Sequence, residues 1–140
     1  MEIRSTPLED LLIISPNVFE DERGYFFEYY RQDILSSNGF TDSFVQDNES
    51  KSQRGVLRGM HFQNPPFAQA KLVRCIEGKV LDVAVDIRKG SKAYGQHIAV
   101  ELSGENKRQL FVPRGFAHGF VVLSESATLA YKVDNSYAPE

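Results

Sequence analysis

His61, Lys71, His118 and Tyr131 are the residues of this 140-residue chain whose types and settings suggest chemistry. Each lies in a short stretch whose alternate positions are apolar or small: "GVLRGMHF", "AKLVRCIE", "GFAHGFVV" and "ATLAYKV". In extended chain, alternate side chains point to opposite faces. His61 therefore shares a face with Leu57 and Gly59, and Lys71 with Val73 and Cys75. His118 lies with Phe116 and Phe120, and Tyr131 with Leu129 and Val133. A polar group buried in such company without a partner costs several kcal/mol. Repetition of that cost on several strands of one small domain points to polar groups converging on a ligand cavity.

Each of the four alone is as readily a satisfied core residue as a working one. Lys71 fits a core role least well, because lysine is almost never fully buried unless paired. Asp82 is an available partner, and that pairing would make the two structural. Cys75 reads as a small buried hydrophobe, and His97 in "GQHIAV" as a surface strand residue. The aromatics of "YFFEYY" suit a core or a subunit interface better than a stacking platform.

The elements that must position these groups are mostly of period two. "LLIIS" at 11–15 and "YFFEYY" at 25–30 read as strands, and "RQDILSSNG" at 31–39 as one short helix stopped by Gly39. "FVQDNESKS", "GVLRGMHFQ", "AKLVRCIEG", "KVLDVAVDIRKG", "GQHIAVELS", "RQLFVP", "GFAHGFVVLSE" and "ATLAYKVDN" follow, most separated by Gly, Pro, Asn or Ser breakers. In "KVLDVAVDI", Leu81, Val83, Val85 and Ile87 share one face, and Val80, Asp82, Ala84 and Asp86 the other. About ten strands with little helix predict an all-β antiparallel sandwich or barrel. No repeat or linker divides the chain, so residues 1–140 read as a single domain.

Bulk properties exclude several classes. The net charge is -3 and the basic residues are scattered, which disfavours nucleic-acid binding. No apolar run approaches the ~20 residues of a membrane span. The start "MEIRSTPLED" lacks the basic and apolar regions of a secretory signal. The one cysteine cannot form an internal disulfide, which fits a reducing cytoplasm.

"PRGFAHG" holds Pro113-x-Gly115-x-x-His118, which resembles the second signature motif of the cupin superfamily, where the histidine often ligates a metal. The first motif normally offers His-x-His. Here "GMHFQ" has His61 and then Gln63 in the second place. A catalytic transition metal usually takes three strong ligands, so a site with no metal and no cofactor is expected.

Longer stretches are more specific. "FEDERGYFFEYY", "FVQDNESKSQRGVLRGMHFQNPPFAQAKLVRCIEGKVLDVAVDIRKGS", "LSGENKRQLFVPRGFAHGFVVLSE" and "YKVDNSYAPE" resemble the dTDP-4-dehydrorhamnose 3,5-epimerase family from about Pro16 onward. The resemblance implies a cupin jelly roll, a homodimer formed by exchanging strands, and no metal. It implies inversion of C3 and C5 of dTDP-4-keto-6-deoxyglucose to dTDP-4-keto-L-rhamnose, as in dTDP-rhamnose biosynthesis. By the same resemblance His61 is the base that removes the proton α to the ketone, and a histidine near pKa ~6.5 suits that task. Tyr131 is the acid that returns a proton to the opposite face. Lys71 stabilises the enolate oxygen, and His118 lies near the sugar. Arg23, Phe26, Glu28, Gln46, Asp47, Asn48 and Arg58 map onto nucleotide and diphosphate contacts, and Tyr137 onto an aromatic that stacks on thymine. Strand exchange would deliver Arg23 and Glu28 to the partner's pocket. Family members usually continue past "YAPE" with a tail whose aspartate orients the base histidine. The chain is accordingly expected to lack that extension, with Asp82 a possible substitute. Three other readings stay open: a non-catalytic sugar-nucleotide-binding cupin, an epimerase acting on one carbon, and a metal cupin.

Overall fold

The period-two segments pair into antiparallel sheets, as their alternation predicts. A computed structural model describes residues 1–66 and 68–136. In chain order the elements are β1 (Glu2–Ser5), β2 (Leu12–Ser15), β3 (Phe19–Asp21), β4 (Gly24–Phe26), α1 (Gln32–Ser37), β5 (Gln46–Gln53) and β6 (Leu57–His61). They continue as β7 (Lys71–Glu77), β8 (Lys79–Asp86), β9 (His97–Ser103), β10 (Gln109–Val112), β11 (Phe116–Val122) and β12 (Ser126–Val133). One sheet has the order β1-β2-β10-β7-β12-β5, the other β6-β11-β8-β9, and β3 and β4 form a separate hairpin.

From β5 onward the chain crosses repeatedly between the two sheets, giving an all-β jelly-roll sandwich with one short helix. The crossing from β7 to β8 is made by Gly78 alone. It has a φ of +86°, and an added Cβ would stand 2.2 Å from the Ser126 carbonyl oxygen. Only glycine fits that corner. Between the sheets, Val73, Leu110 and Leu129 meet Val80, Leu102, Phe120 and Val122. A second apolar cluster lies on the outer face of the larger sheet, where Leu35 of α1 covers Leu12, Ile14, Leu72 and Phe111. Two covered faces explain why the adjacent residues Leu72 and Val73 are both buried.

Three expectations meet an informative outcome. "YFFEYY" is strand only as far as Phe26. Beyond it the chain is held by side chains: the Arg74 guanidinium stacks 3.9 Å from the Tyr29 ring, and the Gln109 amide donates to the Tyr29 carbonyl at 2.7 Å. β1, which was not expected, is an edge strand paired only with β2. In β8 the buried face is the one carrying Val80, Asp82, Ala84 and Asp86, while Leu81, Val83 and Val85 are half-buried. Two carboxylates thus point inward, and both have partners there.

Candidate active site

The larger sheet presents three neighbouring strands to a cavity of about 1140 Å³. Tyr131 in β12 stands opposite Asn48 of β5 on one side and Val73 of β7 on the other. Lys71 is two residues from Val73, hence diagonal to Tyr131 on the same face. Its Nζ lies 5.8 Å from the centre of the Tyr131 ring. Gln46 and Asn48 project from β5 into the same space, and the Gln46 amide donates to Asn48 Oδ1 at 2.9 Å. His61 closes one side of the cavity from the other sheet. The structure therefore gathers His61, Lys71, Tyr131, Gln46 and Asn48 around one void. The void is not sealed, since His61 and every other residue of β6 are exposed.

Lys71 makes no hydrogen bond or ion pair with a described residue. Burial pushes its pKa below the ordinary lysine value, and the nearby charge of Asp82 opposes that shift without cancelling it. Asp82 is fully buried. Its Oδ1 lies 2.8 Å from His118 Nε2, and its Oδ2 has no hydrogen-bond partner among the described residues. His118 is itself only 6% exposed, so it and Asp82 stand behind the cavity wall rather than on it. Cys75 is buried as expected; burial pushes its thiol up to about 11, which leaves it inert at neutral pH. His97 is exposed, also as expected.

β6 and β11 meet at two glycines. A Cβ on Gly59 would lie 2.6 Å from the Gly119 Cα, and Gly59 has a φ of +133°. This close approach sets His61 opposite His118 in the register, just before an irregularity in the β6–β11 pairing. The wall near Lys71 is clamped by Asp134, the residue just after β12. The Ala70 N–H donates to Asp134 Oδ1 at 2.7 Å, and Arg114 Nε donates to Asp134 Oδ2 at 2.8 Å. Arg88 likewise binds Asp86, whose carboxyl burial alone would raise. Hydrogen bonds from Arg88 and Ser91 outweigh that and hold it at about 2.

Other residues marked in the sequence lie elsewhere. Arg23 binds Asp21 in the β3–β4 turn at 2.7 Å, Phe26 is 66% exposed, and Glu28 lies 3.8 Å from Arg31. Arg58 Nε donates to Ser52 Oγ at 2.7 Å. Asp47 projects from the opposite face of β5 and binds Lys132 at 3.0 Å, because its parity is opposite to that of Gln46 and Asn48. Tyr137 lies outside the described residues. The reading from sequence missed Gln63, Gln69, Arg88, Lys89 and Arg114 on the cavity wall. Gln63, two positions from His61, and Arg114, inside Pro113-Arg114-Gly115, were the available signals.

The cupin metal position can be tested on the donors themselves. Among the described residues no three His, Cys, Asp or Glu side chains group closely enough to hold a metal ion. His118 Nε2 is taken by Asp82, and Gln63 occupies the place of a second histidine. These residues do not form a metal-ligating set. Nor is any helix among the described residues long and apolar enough to cross a membrane.

Fold and site together define a cupin-type jelly roll whose cavity offers an imidazole, an ammonium and a phenol. The family model of dTDP-4-dehydrorhamnose 3,5-epimerase matches residues 5–140. The dTDP-4-dehydrorhamnose 3,5-epimerase of Shigella flexneri is 54% identical over 139 residues, covering 99% of this chain and 77% of that protein. A crystal structure of the enzyme of that name from Elizabethkingia anophelis superposes with a TM-score of 0.95 at 57% identity, covering 99% of this chain and 76% of the other. The dTDP-6-deoxy-D-glucose-3,5-epimerase of Legionella pneumophila, solved in complex with dTDP-4-keto-L-rhamnose, does so with a TM-score of 0.95 at 52% identity, covering 99% and 73%. This chain belongs to the dTDP-4-dehydrorhamnose 3,5-epimerase family, a family of isomerases.

Proposed function

We propose that this chain inverts C3 and C5 of dTDP-4-keto-6-deoxyglucose, giving dTDP-4-keto-L-rhamnose, with the proton transfers carried by its own side chains. The observation that carries this reading is the convergence of His61, Lys71 and Tyr131 on one cavity from both sheets. C3 and C5 flank the ketone, so their protons are acidic enough for a side-chain base. His61 removes the proton, and the Tyr131 hydroxyl delivers one to the opposite side of the carbon. The Lys71 ammonium faces the enolate oxygen, and a preorganised donor of this kind is worth roughly 3–4 kcal/mol in well-studied sites. The charge of Asp82 favours that ammonium against its burial. Gln46 and Asn48 offer amide groups for the substrate's hydroxyl and phosphate oxygens.

The working unit on this reading is a homodimer. Phe19, Tyr25 and Phe26 are exposed on the β3–β4 hairpin, and Leu57, Met60 and Phe62 are exposed on and beside β6. Apolar groups clustered in this way mark interaction surfaces. The partner's hairpin, carrying Arg23, Phe26 and Glu28, would complete the nucleotide end of the cavity, with Tyr137 stacking on thymine and Arg58 gripping phosphate.

Proton NMR in D2O with dTDP-4-keto-6-deoxyglucose tests the reading. The expected result is loss of the C3 and C5 proton signals together with appearance of the inverted product. Binding without exchange would instead identify a sugar-nucleotide-binding protein.

A further inference from the structure

We propose that Lys107 is a positioning residue that acts in trans: it aims the β3–β4 hairpin, and with it Phe26 and Glu28, at the nucleotide end of the partner subunit's cavity. The inference rests on the homodimer proposed above and adds to it a residue that does not line the cavity.

The first support is how the hairpin is attached. β3 and β4 have three exposed residues each and pair only with each other. Among the described residues no backbone hydrogen bond ties residues 19–26 to either sheet. A lone hairpin of that size does not hold itself in place, so its direction is left to side chains. The rings of Tyr25, Phe27 and Tyr29 follow one another at 5.9 and 6.0 Å, close to the i, i+2 spacing of extended chain. At the inner end of this ladder Arg74 stacks on Tyr29, and the buried Gln109 holds the Tyr29 carbonyl. At the outer end the Lys107 Nζ lies 4.2 Å from the centre of the Tyr25 ring and 5.8 Å from that of Phe27. A cation so placed is attracted by the ring faces. With these three rings turned to one side, Phe26 and Glu28 project to the other, and both are exposed.

The second support is the turn between β9 and β10 that carries Lys107. Its φ is +54°, in the left-handed region that lysine rarely occupies. Asparagine or glycine adopts that backbone more readily, so a lysine there is accounted for by the use of its side chain. The turn around it is closely bonded. Asn106 Oδ1 accepts from the Ser103 and Arg108 N–H groups at 3.1 and 3.0 Å, and Ser103 Oγ accepts from the Asn106 N–H at 2.9 Å. The ammonium itself donates to the Gly104 carbonyl at 2.6 Å, which fixes its place under the hairpin's rings.

Lys107→Asn and Lys107→Arg test the inference. Asparagine tolerates the left-handed turn and removes the cation, whereas arginine keeps the cation. Lys107→Asn is expected to raise the KM for dTDP-4-keto-6-deoxyglucose and the Kd for dTDP by at least about threefold, the size of an exposed cation–π contact, with kcat unchanged. Lys107→Arg is expected to restore both constants. A matching fall in kcat and Tm marks a merely structural contact and overturns the proposal. Mixed dimers with His61→Ala locate the effect. When Lys107→Asn lies on the chain with the intact His61, the active cavity receives an unaltered hairpin and its KM is expected to stay normal. When Lys107→Asn and His61→Ala share a chain, the active cavity receives the altered hairpin and its KM is expected to rise. The reverse pattern, or a monomer in solution, overturns action in trans. Turnover with an unchanged KM removes the positioning role alone. Weakened dTDP binding by Lys107→Asn, in a protein without turnover, removes the epimerase reading alone, since the titration scores the hairpin without any chemistry.

Discussion

The two sides of the cavity are built differently. Lys71 and Tyr131 stand on adjacent central strands whose neighbours Val73, Leu129 and Val133 are wholly buried. His61 stands at the end of an edge strand exposed along its whole length and held against β11 by two glycines. Core packing therefore fixes the ammonium and the phenol, whereas the imidazole sits on an exposed edge placed by the backbone fit of β6 to β11. The comparison teaches that one wall is set by core packing and the other by the fit of an exposed edge strand against β11.

The strongest way to break this contrast is at the two groups proposed to transfer protons. His61→Ala is expected to lower kcat/KM by roughly 10²–10⁴-fold with little change in Tm, because His61 is exposed on an edge strand. Tyr131→Phe is expected to lose inversion by a similar factor. Steady-state kinetics beside thermal melts check both, and a large fall in Tm for His61→Ala would contradict the exposed-edge description. Gly59→Val tests the fit of β6 against β11. Its side chain would meet the Gly119 backbone and push β6 outward, so activity is expected to fall at least about tenfold, as misplaced catalytic groups do. A thermal melt is expected to change less than it does for Leu129→Ala in the core.

Asp82→Asn sharpens the packed side. Its charge raises the Lys71 pKa against burial, so its removal lowers that pKa further. The high-pH limb of the kcat/KM profile is expected to move to lower pH, and an unmoved limb would disconnect Asp82 from Lys71. The smallest effect concerns stability alone. The Asp86 carboxyl sits at about 2 in the folded chain, against ~3.9 unfolded. A lowered folded value stabilises above the unfolded pKa and loses that contribution as pH falls through the folded one. Between pH ~4 and ~2 the protein should therefore lose on the order of 2 kcal/mol through this group. In Asp86→Asn that part of the acid-unfolding curve should be absent.

Much of the architecture was legible because alternation is a local signal. Leu129, Tyr131 and Val133 share a face for geometric reasons alone, and the structure turns that face inward. Which face turns inward was not legible in β8, since Leu81, Val83 and Val85 are more apolar than the face that is buried. That choice depends on His118 and Arg88, which come from other strands or from the loop. The site was legible in the same way. Gln46 and Asn48 reach the cavity and Asp47 between them does not, as strand parity requires once β5 is paired. The remote residues Arg114 and Asp134 were not legible, because their pairing joins segments 20 residues apart that only the folded chain brings together.

The most direct test of an imidazole and a phenol working on one carbon from separate walls is deuterium wash-in at C3 by Tyr131→Phe, followed by NMR in D2O with dTDP-4-keto-6-deoxyglucose. The account expects deuterium to enter at C3 with the original configuration kept, since His61 still removes and returns the proton on its own side. Inversion at the unaltered enzyme's rate, or no deuterium entry at all in a folded variant, would contradict it.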